Sequence, residues 1–326
     1  MAVYYLQYLV SCLVKGMQQQ IPRCEVIPLP NHQVSFQVDS IERLRWHYGP
    51  EYPGPFFYPF VGPSGTPLTR MGHPGTASHD HHRSIWFAHT DIDGNDFWSL
   101  GGTTHVRQKQ WLRYHDSEMA TSMAVLLGWF DPQGVELMEQ ELIVELRPGQ
   151  EGETLLELQS RFISSTEDIT FGQTNFGFLA VRLAKSISEH FGRGLLTNSR
   201  GQIHEEGVFG QPAEWMDYSG PITLGNGSNR QQAVEGITYF DHPSNPGYPA
   251  HWHVRSDGWL SASVCMQNTL TVTPDRPLML RYLLHAHSGS ANPEVSLEIA
   301  EAFSQSQFMK VEKVSMKHQD YEILRH

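Results

Sequence analysis

The chain has 326 residues, 39% hydrophobic and 18% charged, with a formal net charge of −12. That balance suits a folded, water-facing protein and not a disordered one. The acidic surplus speaks against nucleic acid, whose phosphates need a basic face, and against an anionic membrane surface. Three cysteines (Cys12, Cys24, Cys265), with no CxxC pair, make no disulfide framework.

Along the chain, YYLQYLVSCLV comes first. It is apolar but too short to span a bilayer, and it lacks a basic flank and an A-x-A-like cleavage site. The expectation is an N-terminal extension over 1–25, with Met17 as an alternative start. The expected location is the cytoplasm, or the periplasm if this segment is a signal. No later segment is a transmembrane candidate.

From there the pattern is β. Gln33 to Val38 alternates, and Phe56 to Val61 follows a Pro/Gly-rich turn. Leu137 to Leu146 alternates glutamates with aliphatics, RPGQEGE makes a turn, and Leu155 to Ile163 alternates again, which predicts a hairpin. Glu139 and Glu141 fall on the polar face of the first of these strands. Further strands are expected at Phe178–Ala184, Gly236–Phe240, Trp259–Met266, Leu270–Val272 and Leu278–His285, with DPQG, GNGSN and TPDRP as turns. DHPSNPGYPAHWHVRSDGW reads as an ordered, non-regular loop because of its prolines. The clearest helix opens at Asn292-Pro293 and ends near 308, with Asn292 as N-cap and Pro293 at the first turn. The fold class is therefore all-β: one large antiparallel β-sandwich domain over 26–326, with few short helices.

Chemistry concentrates in RMGHPGTASHDHHRSIWFAHTDIDGNDFW, which carries His73, His79, His81, His82, His89, Asp96 and Trp98. Histidine titrates near neutrality and is the commonest metal ligand. Carboxylates supply bases or hard oxygen ligands. If HDHHRSIWFAH is extended, His81, Arg83, Ile85, Phe87 and His89 share one face, and His82, Ser84, Trp86 and Ala88 the other. His73, His81, His82, His89 and Asp96 are the candidate catalytic residues. A metal is the alternative, held by His81, His89 and Asp96 as a 2-His-1-carboxylate set, although no HExxH motif is present. Asp93-Gly94 reads as a plain turn, since the flanking pattern is wrong for a calcium loop.

Candidate substrate-binding residues lie further on. Trp98, Trp252 and Trp259 offer stacking surfaces. Arg182 and Arg255 can clamp a carboxylate or phosphate. Asn175, His253 and His285 offer hydrogen bonds. Arg182, amid FLAVRLA, is a ligand anchor or half of a buried ion pair. Gly177 permits close approach of a ligand or a strand. No GxSxG, P-loop or GxGxxG unit appears, which weakens hydrolase, NTPase and dehydrogenase readings.

The motifs PFFYPFVGPSGTPLTRMGHP, HHRSIWFAHTDIDGNDFW, VFGQPAEWMDYSGP, FDHPSNPGYPAHWHVR and LRYLLHAHSG, in this order, resemble the DUF6807 family, which has carried the label "methane oxygenase PmoA-like". The methane monooxygenase subunit behind that label is a transmembrane protein, and this chain has no spanning stretch, so the oxygenase reading is set aside. The resemblance implies a galactose-mutarotase-like β-supersandwich with a carbohydrate cleft across one sheet. The mutarotase catalytic His and Glu find no matching motif here. The expected ligand is a small-molecule carbohydrate. The expected activity is that of an enzyme on a sugar or oxidised sugar (lyase, hydrolase or isomerase), with histidines as acid and base. A non-catalytic carbohydrate-binding module and a metal-dependent enzyme are the alternatives. No cofactor is required by the first reading.

Overall fold

The computed structural model describes residues 21–73, 75–99, 103–164 and 167–326. The extension and the choice between Met1 and Met17 lie mostly outside them.

Five strands come first: β1 (Cys24–Leu29), β2 (Gln33–Val38), β3 (Ile41–His47), β4 (Phe56–Phe60) and β5 (Ile85–His89). A long meander follows through β6 (His105–His115), β7 (Thr121–Phe130), β8 (Glu136–Pro148) and β9 (Thr154–Ser164). Next are β10 (Ile169–Phe171), β11 (Gly177–Arg182), β12 (Leu195–Asn198), helix α1 (His204–Val208), β13 (Trp215–Leu224) and β14 (Gln231–Asp241). The chain ends with β15 (His251–Arg255), β16 (Trp259–Ser263), β17 (Leu270–Val272), β18 (Leu278–Ser288), helix α2 (Pro293–Ser304), β19 (Met309–Met316) and β20 (Gln319–Arg325).

Two eight-stranded antiparallel sheets make the sandwich. Their orders are β1-β2-β3-β4-β5-β11-β16-β15 and β12-β13-β14-β18-β9-β8-β7-β6. The hairpin expected from alternating glutamates and aliphatics is β8–β9, with Leu142 opposite Ser160 and Val144 opposite Leu158. Its turn needs left-handed backbone, found at Glu151 (φ 48°) and Gly152 (φ 86°). Leu142, Val144, Leu146, Leu156 and Leu158 from this sheet meet Phe36, Leu44, Trp46, Ile85, Leu179 and Val181 from the other in one continuous core. Burying that apolar surface is the main driving force of the fold. β7 (TSMAVLLGWF) is buried on both faces and so shows no alternation.

The outer faces differ. Over the second sheet, α2 packs Ile299 and Phe303 onto Trp215, Phe240 and Leu283. Asn292 caps this helix as expected, its Oδ1 accepting the N–H of Glu294 at 3.0 Å. Beside it, Met309 at the head of the β19–β20 ribbon packs on Ala124 and Ile143. The outer face of the first sheet, along β5, β11, β16 and β15, carries the cleft described next. The expected loop after Asp241 is only half a loop, because HWHVR forms β15. Beyond Pro249, Trp252 and Val254 enter the core, while His253 looks outward, and that period of two is a strand's.

Candidate functional site

Register across four strands of the first sheet decides which side chains meet. Trp86 stands opposite Ala180, Ala180 opposite Ser261, and Ser261 opposite His253. One row along, Arg182 stands opposite Trp259, and Trp259 opposite Arg255. Directly opposed residues project to the same face. Here that face is the outer one, since the intervening Ile85, Val181, Leu260 and Val254 belong to the core. Arg182, Trp259, His253 and Arg255 of these rows border a hollow on that face. Its volume is about 430 Å³, within the range of small-molecule sites.

Trp98, Phe176 and Trp259 wall the cleft. Trp86, Trp98 and Trp259 pack on one another at ring separations of 5.0–5.9 Å. They are almost wholly buried, so they bound the cavity rather than offer open stacking platforms. Asp96 seats Trp98: its Oδ1 accepts the N–H of Trp98 at 2.7 Å and of Ser99 at 3.1 Å.

Three histidines enter the cleft from a tight turn. A short 3-10 turn at Ala77–His79 and a left-handed Ser84 (φ 57°) break the extended geometry before β5. His81 and His82 therefore both line the cleft, with rings 4.3 Å apart, instead of facing opposite ways as strict alternation predicted. His81 Nδ1 lies 3.1 Å from the Ser78 carbonyl. His253 Nδ1 lies 3.0 Å from the Asn175 carbonyl. A carbonyl only accepts, so each Nδ1 carries the proton and each Nε2 keeps its lone pair. Burial lowers the pKa of His81, and that of His253 to about 3. Burial, with the Arg182 charge next, brings His82 to about 2. These imidazoles are neutral at pH 7 and able to accept a hydrogen bond.

The cleft's base is an ion pair. Arg182 donates to both oxygens of Asp257, Nη1 to Oδ1 at 2.7 Å and Nη2 to Oδ2 at 2.9 Å. His73 Nε2–H donates to Asp257 Oδ2 at 3.0 Å, and its Nδ1 accepts the Gly75 N–H at 3.1 Å. Burial alone would raise the Asp257 pKa, but Arg182 and His73 hold it well below the usual carboxylate range. Arg255 lies over the Phe209 ring at 4.4 Å and donates to Glu205 at 3.2 Å. Three lining residues keep a buried polar atom with no hydrogen-bond partner: His82 Nδ1, Arg182 Nε and Trp259 Nε1.

A family profile matches residues 33–301, from the start of β2 to the last turn of α2, and so takes in every residue of the cleft. The chain belongs to DUF6807, a family of unknown function. No curated protein matches it.

Several expected site residues of this DUF6807 chain lie elsewhere. His89 is in the core: its ring packs on Phe171 and Phe178, and its Nδ1 accepts the Asp91 N–H at 3.1 Å. The reason is phase, since His89 is three residues along β5 from Trp86, which faces the cleft. Gly177 accommodates this histidine and not a ligand, as an added Cβ would sit 2.4 Å from His89 Cδ2. The metal set His81, His89 and Asp96 therefore does not assemble, and Asp96 serves the Trp98 turn. Among the described residues, no three His, Cys, Asp or Glu side chains converge as metal ligands. His73 is not placed as an acid or base, because both ring nitrogens are engaged with the protein. Trp252 is a core residue whose Nε1 donates to Ala213 at 2.9 Å. Asn175 contributes its carbonyl, which orients His253 and accepts the Ser263 hydroxyl at 2.6 Å. Arg182 is the ion pair and not a free anchor. His82, His253, Arg255, Trp98 and Trp259 do meet, with His81, at the cleft. Residue-type reasoning assigned no role to Asp257, Phe176, Thr90 or Ser99. Asp257 carried a signal, because a buried Arg182 demands a carboxylate partner.

His285 belongs to the other sheet, on its outer face. Its Nε2 is 3.0 Å from Glu153, and His287 Nε2 is 2.7 Å from the buried Asp217. Burial opposes a charge on His287, but the Asp217 carboxylate outweighs it and raises the pKa above 6.5. A raised folded-state pKa stabilises fully below the unfolded value and stops doing so as pH rises through the folded one. NMR titration is expected to place the His287 midpoint above that of an exposed histidine. Asp217→Asn is expected to lower it and to flatten the fall in stability above pH 6.5. A His287 midpoint at or below the ordinary value would refute the pairing.

No helix of the described residues is long and apolar enough to cross a membrane.

Proposed function

We propose that the chain is an enzyme that moves a proton on a small carbohydrate bound in the first-sheet cleft. The observation that carries this reading is the pair of pre-set imidazoles, His81 and His253, each tied at Nδ1 to a carbonyl and each offering a neutral Nε2 to one aromatic-walled cavity. With the proton fixed on Nδ1, Nε2 is the ring position left to accept a hydrogen bond or a proton. Hydroxyls at Thr90 and Ser99 line the same cavity and suit a polyhydroxylated ring. A module that only bound sugar would have no need of two oriented bases.

The test combines a binding screen with turnover. Mono- and disaccharides and their oxidised derivatives are screened by tryptophan fluorescence, since Trp98 and Trp259 line the cleft. His253→Ala is then expected to lower kcat by about 10²–10⁴-fold, the usual worth of a general acid or base, with binding changed far less. Binding by the wild type without turnover of any bound sugar would favour the non-catalytic module. Turnover that survives both His81→Ala and His253→Ala would remove the histidines from the chemistry.

A further inference from the structure

A second hollow, of about 550 Å³, lies on the outer face of the other sheet, where β14, β18 and the β8–β9 turn meet the first turns of α2. Leu155, Val295 and Ile299 form its apolar side. Register sets its floor. Asp217 stands opposite Thr238, and Thr238 opposite His285, on the face where Trp215, Phe240 and Leu283 receive α2. Gly236 stands opposite His287. A Cβ at Gly236 would sit 2.9 Å from His287 Nε2, so the glycine leaves this imidazole room to reach Asp217 at 2.7 Å. The Thr238 hydroxyl donates to the same carboxylate at 2.7 Å. The charge of His287 is thus matched inside the protein. His285 beside it keeps an open position. Its side chain is 7% exposed and lines the hollow. Its Nε2–H donates to Glu153 at 3.0 Å, so Nδ1 holds the lone pair. That Nδ1 meets no donor among the described residues and is not sealed from solvent. Burial, with the His287 charge next, lowers the His285 pKa and keeps the ring neutral at pH 7.

We propose that this hollow binds a small organic cation bearing a primary ammonium group, which donates to His285 Nδ1 and sits among the carboxylates of Glu151, Glu153 and Glu298. The site is separate from the first-sheet cleft and independent of the activity proposed there. Glu151 and Glu298 are exposed on its rim, and among the described residues no lysine or arginine lines it. The lining therefore carries an unbalanced negative charge, which attracts a cation and repels an anion. An ammonium brings three donors and no acceptor, which suits a neutral imidazole nitrogen flanked by carboxylates. A neutral polyol meets the imidazole but leaves the charge unanswered. Among the described residues no three His, Cys, Asp or Glu side chains converge as metal ligands, so the fitting cation is one that brings its own hydrogens. Its methylenes find Leu155, Val295 and Ile299.

The probes are 1,4-diaminobutane and its neutral counterpart 1,4-butanediol. Each is titrated at pH 7 and low salt against the full chain, against the paired change Glu151→Gln with Glu298→Gln, and against His285→Leu. The diamine is expected to bind the wild type about tenfold or more tighter than the diol. It is expected to shift the imidazole NMR signals of His285 and to leave those of His253 in place. The paired glutamine variant is expected to weaken diamine binding by about tenfold, and added salt to weaken wild-type binding. His285→Leu is expected to lose a similar factor. The two glutamates are exposed, so the paired variant gives a readout even if His285→Leu folds poorly. Equal binding of diol and diamine, diamine binding indifferent to these substitutions, or shifts at His253 in place of His285 overturns the assignment. Failure of the diamine to bind overturns it as well.

Discussion

Asp257→Ala is expected to destabilise the protein by about 3–5 kcal/mol, the cost of leaving one member of a buried ion pair unpaired. Arg182 sits in β11 with essentially no solvent exposure, and both of its terminal nitrogens end on Asp257. Without the carboxylate, a guanidinium remains in the sheet with its hydration lost and nothing in return. His73 loses the acceptor for its Nε2–H as well. Urea unfolding at pH 7 measures the loss, and Asp257→Asn should fall between, since an amide accepts a hydrogen bond but carries no charge. The double variant Asp257→Ala with Arg182→Met should recover much of the deficit, because the cost lies in the stranded charge. The pH dependence has a definite sign. Asp257 has a folded pKa below its unfolded 3.8, so its contribution is complete above that value and is lost only as pH falls further toward the folded one. Stability between pH 5 and 8 should not register this pair. A single variant as stable as wild type would show that water reaches Arg182 and that the cleft's base is open.

Glu157→Ala should be of similar size, about 3–5 kcal/mol, at the far side of the molecule. Glu157 in β9 is completely buried and accepts from Arg281 at 2.6 Å and Arg325 at 2.8 Å. Arg281 is equally buried, and it reaches the Ser306 carbonyl at 3.0 Å and lies over the Phe308 ring at 4.6 Å. One carboxylate thus ties the C-terminal ribbon to β9 and β18 of the second sheet. Burial would raise its pKa, but the two arginines lower it, so this contribution too is present above pH 4.5 and is lost as pH falls through the depressed value. Limited proteolysis should show the β19–β20 ribbon released in the variant before the rest unfolds. A variant with unchanged unfolding midpoint and unchanged cleavage would mean that the apolar contacts of Met309 hold the ribbon alone.

Much of the architecture was legible from residue pattern. β8 and β9 alternate because each has one wet face and one dry face, and period two is a local property. Asn292-Pro293 marks the start of α2 because a cap is satisfied within three residues. Asp93 and Gly94 both take left-handed backbone (φ 48° and 78°), as a two-residue turn requires. β7 was not legible, since a strand buried on both faces has no periodicity to read. β15 was masked by the prolines ahead of it.

The site divides along the same line. Composition alone determined that imidazole and aromatic side chains concentrate between His73 and Trp98 and again between His251 and Trp259. It could not say which imidazoles share a space. Trp86, Ala180, Ser261 and His253 form one row only through the pairing of four strands far apart in sequence. His89 was assigned to the cleft by proximity and is in the core by strand phase, whereas the turn that brings the His82 N–H to the His79 carbonyl accompanies His81 and His82 on one side. Asp257 took its meaning only when the fold brought it to Arg182, 75 residues away in sequence. Side-chain type and period are written locally in the chain. Convergence is decided by register and burial, which exist only once the sheets have formed.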